Sequence, residues 1–219
     1  MTAWSTDKKR RHGVAMAQAT VAPWAELVPG VDSLMTADEL LTLPDDEWQY
    51  ELVAGRLVRM PMSGLEHRDV TFQLLIALHD FNRDRDLGLI TLPDTGFRLS
   101  PPDEPDTVLA PDIAFVRAER VQQLPAPGTP ERRKFPPLAP DLAVEVASPD
   151  QYRPEMAAKA RLYLAAGVRL VWVVWPRWHR VDVWQPGSDQ PAATLGVDDQ
   201  LDGLDVLPGF TYPVARLFG

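Results

Sequence analysis

Cysteine is absent from all 219 residues, which excludes disulfides, thiolate metal sites and a cysteine nucleophile, and fits a reducing cytoplasm. Long apolar runs are missing too. None approaches the roughly 18–20 residues that cross a bilayer, so no membrane partner is expected. Basic charge is scarce: 22 Lys and Arg face 31 Asp and Glu, for a formal net charge of −9. A protein held to nucleic acid mainly through backbone phosphates usually presents a basic surface, so broad attraction to DNA is not supported. The imbalance is uneven. Residues 182–219 carry six Asp and one Arg, while bases gather at Lys8-Lys9-Arg10-Arg11 and at Arg132-Arg133-Lys134. No apolar stretch follows the first cluster, so it is not a secretory signal.

What is present reads as an ordinary globular chain, 45% hydrophobic and 24% charged, most simply one domain over 31–219 behind a loose leader, 1–30. Thr36-Ala-Asp-Glu39 has capping-box spacing and opens a short helix through Leu43, which Pro44 stops. Tyr50–Val53, Ala54-Gly55 and Arg56–Met60 form a β-hairpin with glycine at its turn. A helix over 66–84 carries an apolar stripe of Val70, Leu74, Leu78 and Phe81. Strands are expected at 89–92, 95–99 and 111–117. The proline-bearing segments 100–109 and 121–140 read as loops.

Residues 141–147 are almost continuously apolar, as in a sheet covered on both faces. Pro154 suits the first turn of a helix that runs to Ala166 and ends at Gly167. Val168–Trp175 and Val181–Trp184 then make a C-terminal hairpin. This order predicts an α+β fold, a central mixed sheet flanked by helices with an N-terminal and a C-terminal β-hairpin, rather than a doubly wound repeat.

Three polar residues interrupt these core-like segments. Asp112 sits in Ala-Pro-Asp-Ile-Ala-Phe-Val, Glu145 in Asp-Leu-Ala-Val-Glu-Val-Ala-Ser-Pro, and Lys159 on the helix 14 residues beyond Glu145. Acids in apolar strands are costly unless paired or bound to a cation. On adjacent strands Asp112 and Glu145 would lie about 5 Å apart. A hard divalent ion, Mg²⁺ or Mn²⁺, resolves their repulsion and supplies phosphoryl-transfer chemistry, with the lysine beside it. The alternatives are plain: Asp112 as a turn residue at the start of a strand, Lys159 as a solvated helix residue, and Glu145–Lys159 as a structural ion pair.

Tyr50-Glu51-Leu52 with Gly55, His67 opening a helix, Pro111-Asp112, Glu145-Val-Ala-Ser-Pro149, Lys159 with Tyr163 and Gly167, and Leu207-Pro-Gly-Phe210 carry a resemblance. From about Thr36 to Phe218 the chain resembles the Uma-two family of restriction-endonuclease-like proteins, a branch of the PD-(D/E)XK nucleases. The resemblance implies a restriction-endonuclease-like core in which Asp112, Glu145 and the Val146 carbonyl hold the metal. The superfamily's usual lysine position, two residues after the glutamate, is Ala147 here, so Lys159 takes that role from the next helix.

His67, at a helix's positive end, is a candidate for contacting a scissile phosphate, or else a helix-start histidine bonded to backbone. Glu51, on an alternating hairpin strand, is either a contributor or part of a solvated or salt-bridged face. Ser148 has no accompanying triad or nucleophile elbow. The expected activity is Mg²⁺-dependent hydrolysis of DNA. A catalytically inactive binding or assembly module, or a phosphodiesterase acting on RNA or nucleotides, are the alternatives. Symmetric cutting of duplex DNA calls for two sites, hence a homodimer. Trp172, Trp175, Trp178 and Trp184 could stack on bases, but aromatic burial or a dimer contact is the commoner use, and their hairpin is the candidate interface.

Overall fold

The computed structural model describes residues 23–219, so the Lys8–Arg11 cluster lies outside the described residues. Within the stretch expected to be a loose leader, Trp24 is buried and β1 (Glu26–Leu27) pairs with the third strand. Thr36 caps helix α1 (Ala37–Leu40), with the reciprocal Thr36–Glu39 bonds of a capping box. The hairpin follows as β2 (Trp48–Val53) and β3 (Arg56–Pro61). Ala54 and Gly55 both take positive φ at its turn, which matches the twist of the flanking strands.

Helix α2 (Leu65–Arg83) leads into β4 (Gly88–Thr91) and β5 (Phe97–Arg98). The loop expected over 100–109 ends instead in β6 (Val108–Leu109), which pairs with both β2 and β5. A two-residue strand next to prolines has no period to announce it. β7 (Ile113–Arg117), the short α3 (Ala118–Val121), β8 (Leu142–Val146), α4 (Arg153–Ala165), β9 (Leu170–Trp175) and β10 (Arg180–Trp184) complete the core. The acidic tail adds β11 (Ala193–Leu195), β12 (Gln200–Asp202) and β13 (Thr211–Pro213).

The larger sheet has the order β11-β10-β9-β8-β7-β4. Only β8 and β9 run parallel, joined through α4, so the sheet is mixed. Its central strands β7, β8 and β9 are buried on both sides, as the continuous Leu-Val-Trp-Val-Val-Trp of β9 demands. On one face α2 packs Val70, Leu74 and Leu78 against Ile113, Phe115, Val144 and Trp172. Phe210 stacks on Trp172 with ring centroids 5.9 Å apart. On the other face Met156, Ala160 and Tyr163 of α4 meet Ala114, Ala143, Val171 and Val173. The smaller sheet, β1-β3-β2-β6-β5, lends Val58, Phe97 and Leu109 to this second core. The fold is the α+β arrangement expected.

The four tryptophans do not form an outward cluster. Trp172, Trp175 and Trp184 are buried, and Trp175 Nε1 donates to Asp182 at 2.8 Å. Only Trp178 of the four is exposed.

A carboxylate cluster at the meeting of two sheets

The β7–β8 register sets Ile113 against Val144 and Ala114 against Ala143. Continued by one residue, it sets Asp112 against Glu145, with both side chains on the face that α4 covers. The ladder stops at this point, and a side chain takes over from it: Asp112 Oδ2 accepts from the Val146 N–H at 2.7 Å. The same oxygen meets His67 Nε2, in the first turn of α2, at 3.2 Å.

Glu145 accepts from two donors on α4, Lys159 Nζ at 2.9 Å and the Tyr163 hydroxyl at 2.6 Å. Lys159, expected as a solvated helix residue if read alone, is only 3% exposed. Its second partner is Glu51 Oε1, 3.1 Å away on β2. Glu51 is 1% exposed and also accepts from the Ala110 N–H at 2.9 Å and from Trp24 Nε1 at 3.4 Å. Of the two alternatives for Glu51, the solvated one therefore fails and the salt-bridged one stands. Its strand alternates as expected, but its polar side is covered by α4 and Trp24.

All five candidate residues thus converge, and His67, Asp112, Glu145, Val146 and Lys159 line a cleft of about 500 Å³. Glu51 lies behind this wall and touches the cleft through Lys159. Arg59, stacked on Trp48 and paired with Glu26, also lines the cleft and carries no signal in the sequence that marks it. Tyr163 is the other addition. It belongs to the apolar side of α4, and only the three-dimensional placement of its hydroxyl shows what it does. Ser148 lines the cleft, and its backbone N–H donates to Gln151 Oε1 at 2.9 Å.

The electrostatics follow from a charge count. Three carboxylates, Glu51, Asp112 and Glu145, face one ammonium. Burial, with Asp112 and Glu51 adding to it, pushes the Glu145 carboxyl up to about 7 despite the opposing pull of Lys159 and Tyr163. For Lys159, burial disfavours the charge, but Glu145 and Glu51 outweigh it and hold the amine above its ordinary value. Burial likewise works against charge on His67, and the Asp112 bond and charge overcome it, so the imidazole titrates above its ordinary value. The other ring nitrogen, Nδ1, is buried without a partner among the described residues.

Among the described residues no group of three or more His, Asp or Glu side chains is placed to hold a metal ion. The donor set nevertheless fits a hard cation: oxygen ligands only, with surplus negative charge and an open side.

A mixed sheet with an acid on each of two neighbouring strands and a lysine on the following helix is the restriction-endonuclease-like class of fold. The chain belongs to the Uma2 family, described as "Putative restriction endonuclease", whose model matches residues 37–215. Its fold is similar to the crystal structure of a protein from Anabaena variabilis ATCC 29413 described as "a putative nuclease belonging to DUF820". The TM-score is 0.67 at 20% identity, covering 84% of this chain and 97% of that one. No curated protein matches the chain in sequence.

Proposed function

We propose that this chain is a Mg²⁺-dependent nuclease, with Mn²⁺ as a substitute, that hydrolyses DNA phosphodiester bonds at the Asp112–Glu145 cleft. The observation that carries this is the surplus of carboxylate on the wall of an open cleft, where burial, with Asp112 and Glu51 adding to it, pushes Glu145 up to about 7. A fold that needed only an ion pair would not need a third acid. Asp112, Glu145 and the Val146 carbonyl would hold the cation, which when bound supplies Lewis-acid polarisation of a phosphoryl oxygen and acidification of water.

The chain's own residues divide the remaining work. Lys159, with its pKa raised, keeps its proton at neutral pH, so it serves as fixed positive charge for the phosphorane-like transition state and not as a base. Glu51 positions that ammonium from behind. Tyr163 fixes one Glu145 oxygen and leaves the carboxylate a single orientation. His67 holds Asp112 and has no nitrogen free toward solvent, which favours an orienting role over direct phosphate contact. Arg59, half-buried against Trp48 and Glu26, brings a guanidinium to the cleft and suits the flanking phosphate.

One observation favours a different reading. Lys159 is gripped by two carboxylates within 3.1 Å, as in a buried structural triad, and the chain would then be a binding or assembly module. Purified protein with Mg²⁺ or Mn²⁺ should nick supercoiled plasmid, and Glu145→Ala should abolish it while the variant still melts cooperatively. Activity that survives Glu145→Ala in pure protein would refute the site. Failure on duplex DNA, single-stranded DNA and RNA alike would favour the binding module. Cleavage of RNA alone would move the substrate class.

A further inference from the structure

Of the four tryptophans in the C-terminal hairpin, Trp178 alone escapes the core, at 42% exposed. Its neighbours are basic. Arg177, His179 and Arg180, in the turn 176–179 and at the head of β10, are exposed with it. His179 is spent in a stack on Phe218, with ring centroids 4.8 Å apart. Among the described residues neither Arg177 nor Arg180 has an ion-pair partner. From the start of α4, Arg153 reaches over the Trp178 ring at 5.6 Å, a looser stack than the 4.1 Å of Arg59 on Trp48. Asp182 lies 3.9 Å from Arg153 but already accepts from Trp175 Nε1 and from the Thr194 hydroxyl. Three guanidinia around one exposed indole are a local concentration of positive charge in a chain of net charge −9.

The sheet sets this patch beside the cleft. β8 and β9 are parallel, with Glu145 opposite Val173 and Val146 opposite Val174, so both strands end at one edge. The Ala147 N–H still donates to the Val174 carbonyl at 2.8 Å, two residues before the turn begins. The start of α4 serves both places: Gln151 and Glu155 line the cleft, and Arg153 between them reaches the patch. We propose that the patch grips a single-stranded stretch of nucleic acid next to the bond cut in the cleft. Arg153, Arg177 and Arg180 take its phosphates, and Trp178 stacks on an unpaired base. Guanidinia recognise phosphate whatever the sequence. The indole decides the strandedness. In a duplex the bases are stacked on one another, whereas an unpaired base offers its π-face to an exposed aromatic ring. The grip rests on the nuclease reading of the cleft, whose substrate it narrows to unpaired strands.

Fluorescence anisotropy of the full chain in chelator separates gripping from cutting. At low salt, wild type should bind a labelled oligo(dT) of about 16 nucleotides roughly tenfold or more tightly than a duplex of that length. Trp178→Ala should weaken the single-strand complex by roughly tenfold and leave duplex binding nearly unchanged. Three phosphate contacts predict that log K falls with log salt at a slope of about −2, and Arg177→Glu/Arg180→Glu should bring the slope to about −0.7. These side chains are exposed, so both variants should melt like wild type. If Trp178→Ala does not fold, the charge reversal decides. No binding at low salt, equal affinity for duplex, or binding indifferent to either variant overturns the grip. So does labelled polyglutamate bound as tightly as oligo(dT), which would mark a general anion surface. Cleavage with Mg²⁺ that persists while both variants bind like wild type sinks the grip and spares the nuclease reading. Single-strand binding lost in the variants, with no cleavage by wild type under Mg²⁺ or Mn²⁺, does the reverse.

Discussion

Replacing Glu145 by Gln should stabilise the metal-free protein, by an amount that grows with pH. In the folded chain this carboxyl titrates near 7, against an ordinary value of 4.5. Below about 4.5 it is neutral whether the chain is folded or not, and its contribution is fully present. As pH rises, the unfolded chain ionises first, and stability drains away until the folded carboxyl ionises as well. The interval of about 2.5 units corresponds to roughly 3 kcal/mol at about 1.4 kcal/mol per unit.

Glutamine keeps the local bonds, since its carbonyl can accept from Lys159 and its amide can donate to the Tyr163 oxygen. Lys159 retains Glu51 at 3.1 Å. Thermal melts in chelator across a pH series should therefore show the two proteins alike near pH 5. The variant should lead by roughly 6–12 °C near pH 8, at about 2–4 °C per kcal/mol for a chain of this size. A gap that does not widen with pH, or a variant less stable than wild type at the alkaline end, would refute the charge count on which the site rests.

Lys159→Met removes the only cation between two buried carboxylates and should cost about 3–5 kcal/mol in denaturant unfolding at neutral pH, with the loss greater at higher pH. Asp112→Asn removes the main opposition to burial at His67, leaving only Glu145 and the Val146 backbone against it, so the imidazole titration followed by NMR should move down. The stability that His67 contributes below its ordinary pKa, and loses as pH rises through the folded value, should shrink with it. Trp172→Ala empties the contact between β9 and Phe210 and should cost about 3–5 kcal/mol by the same unfolding measurement. If the cleft holds a divalent ion, added Mg²⁺ should raise the wild-type melting temperature but not that of Asp112→Asn.

The elements that positioned the site were legible wherever one residue's surroundings were repeated by its neighbours. The α2 stripe, the apolar β8 and β9, Pro154 and Gly167 bracketing α4, and the Ala54-Gly55 turn each carried a local signal, and the structure has them within a residue or two. Asp112, Glu145 and Lys159 stood out because they violated such signals. What stayed hidden depended on distant partners. The burial of Glu51 is set by Lys159 and Trp24, neither on its own hairpin. Tyr163 could not be told from a core aromatic, because its hydroxyl matters only opposite Glu145. β1 and β6, at two residues each, exist only as partners of β3 and β2.

Glu51, His67, Asp112, Glu145 and Lys159 come from five stretches of chain, and Lys159 touches acids from both sheets. The Glu145–Lys159 contact spans 14 residues and can form early, but the Glu51 contact must wait until the smaller sheet has docked on α4. Until then the ammonium is held from one side only, and Asp112 has only the Val146 N–H until α2 seats His67. A partly folded chain, or one cleaved between the hairpin and α4, would keep most of its hydrophobic layers without a complete charge cluster. In this molecule, acquiring the site and finishing the fold are the same event.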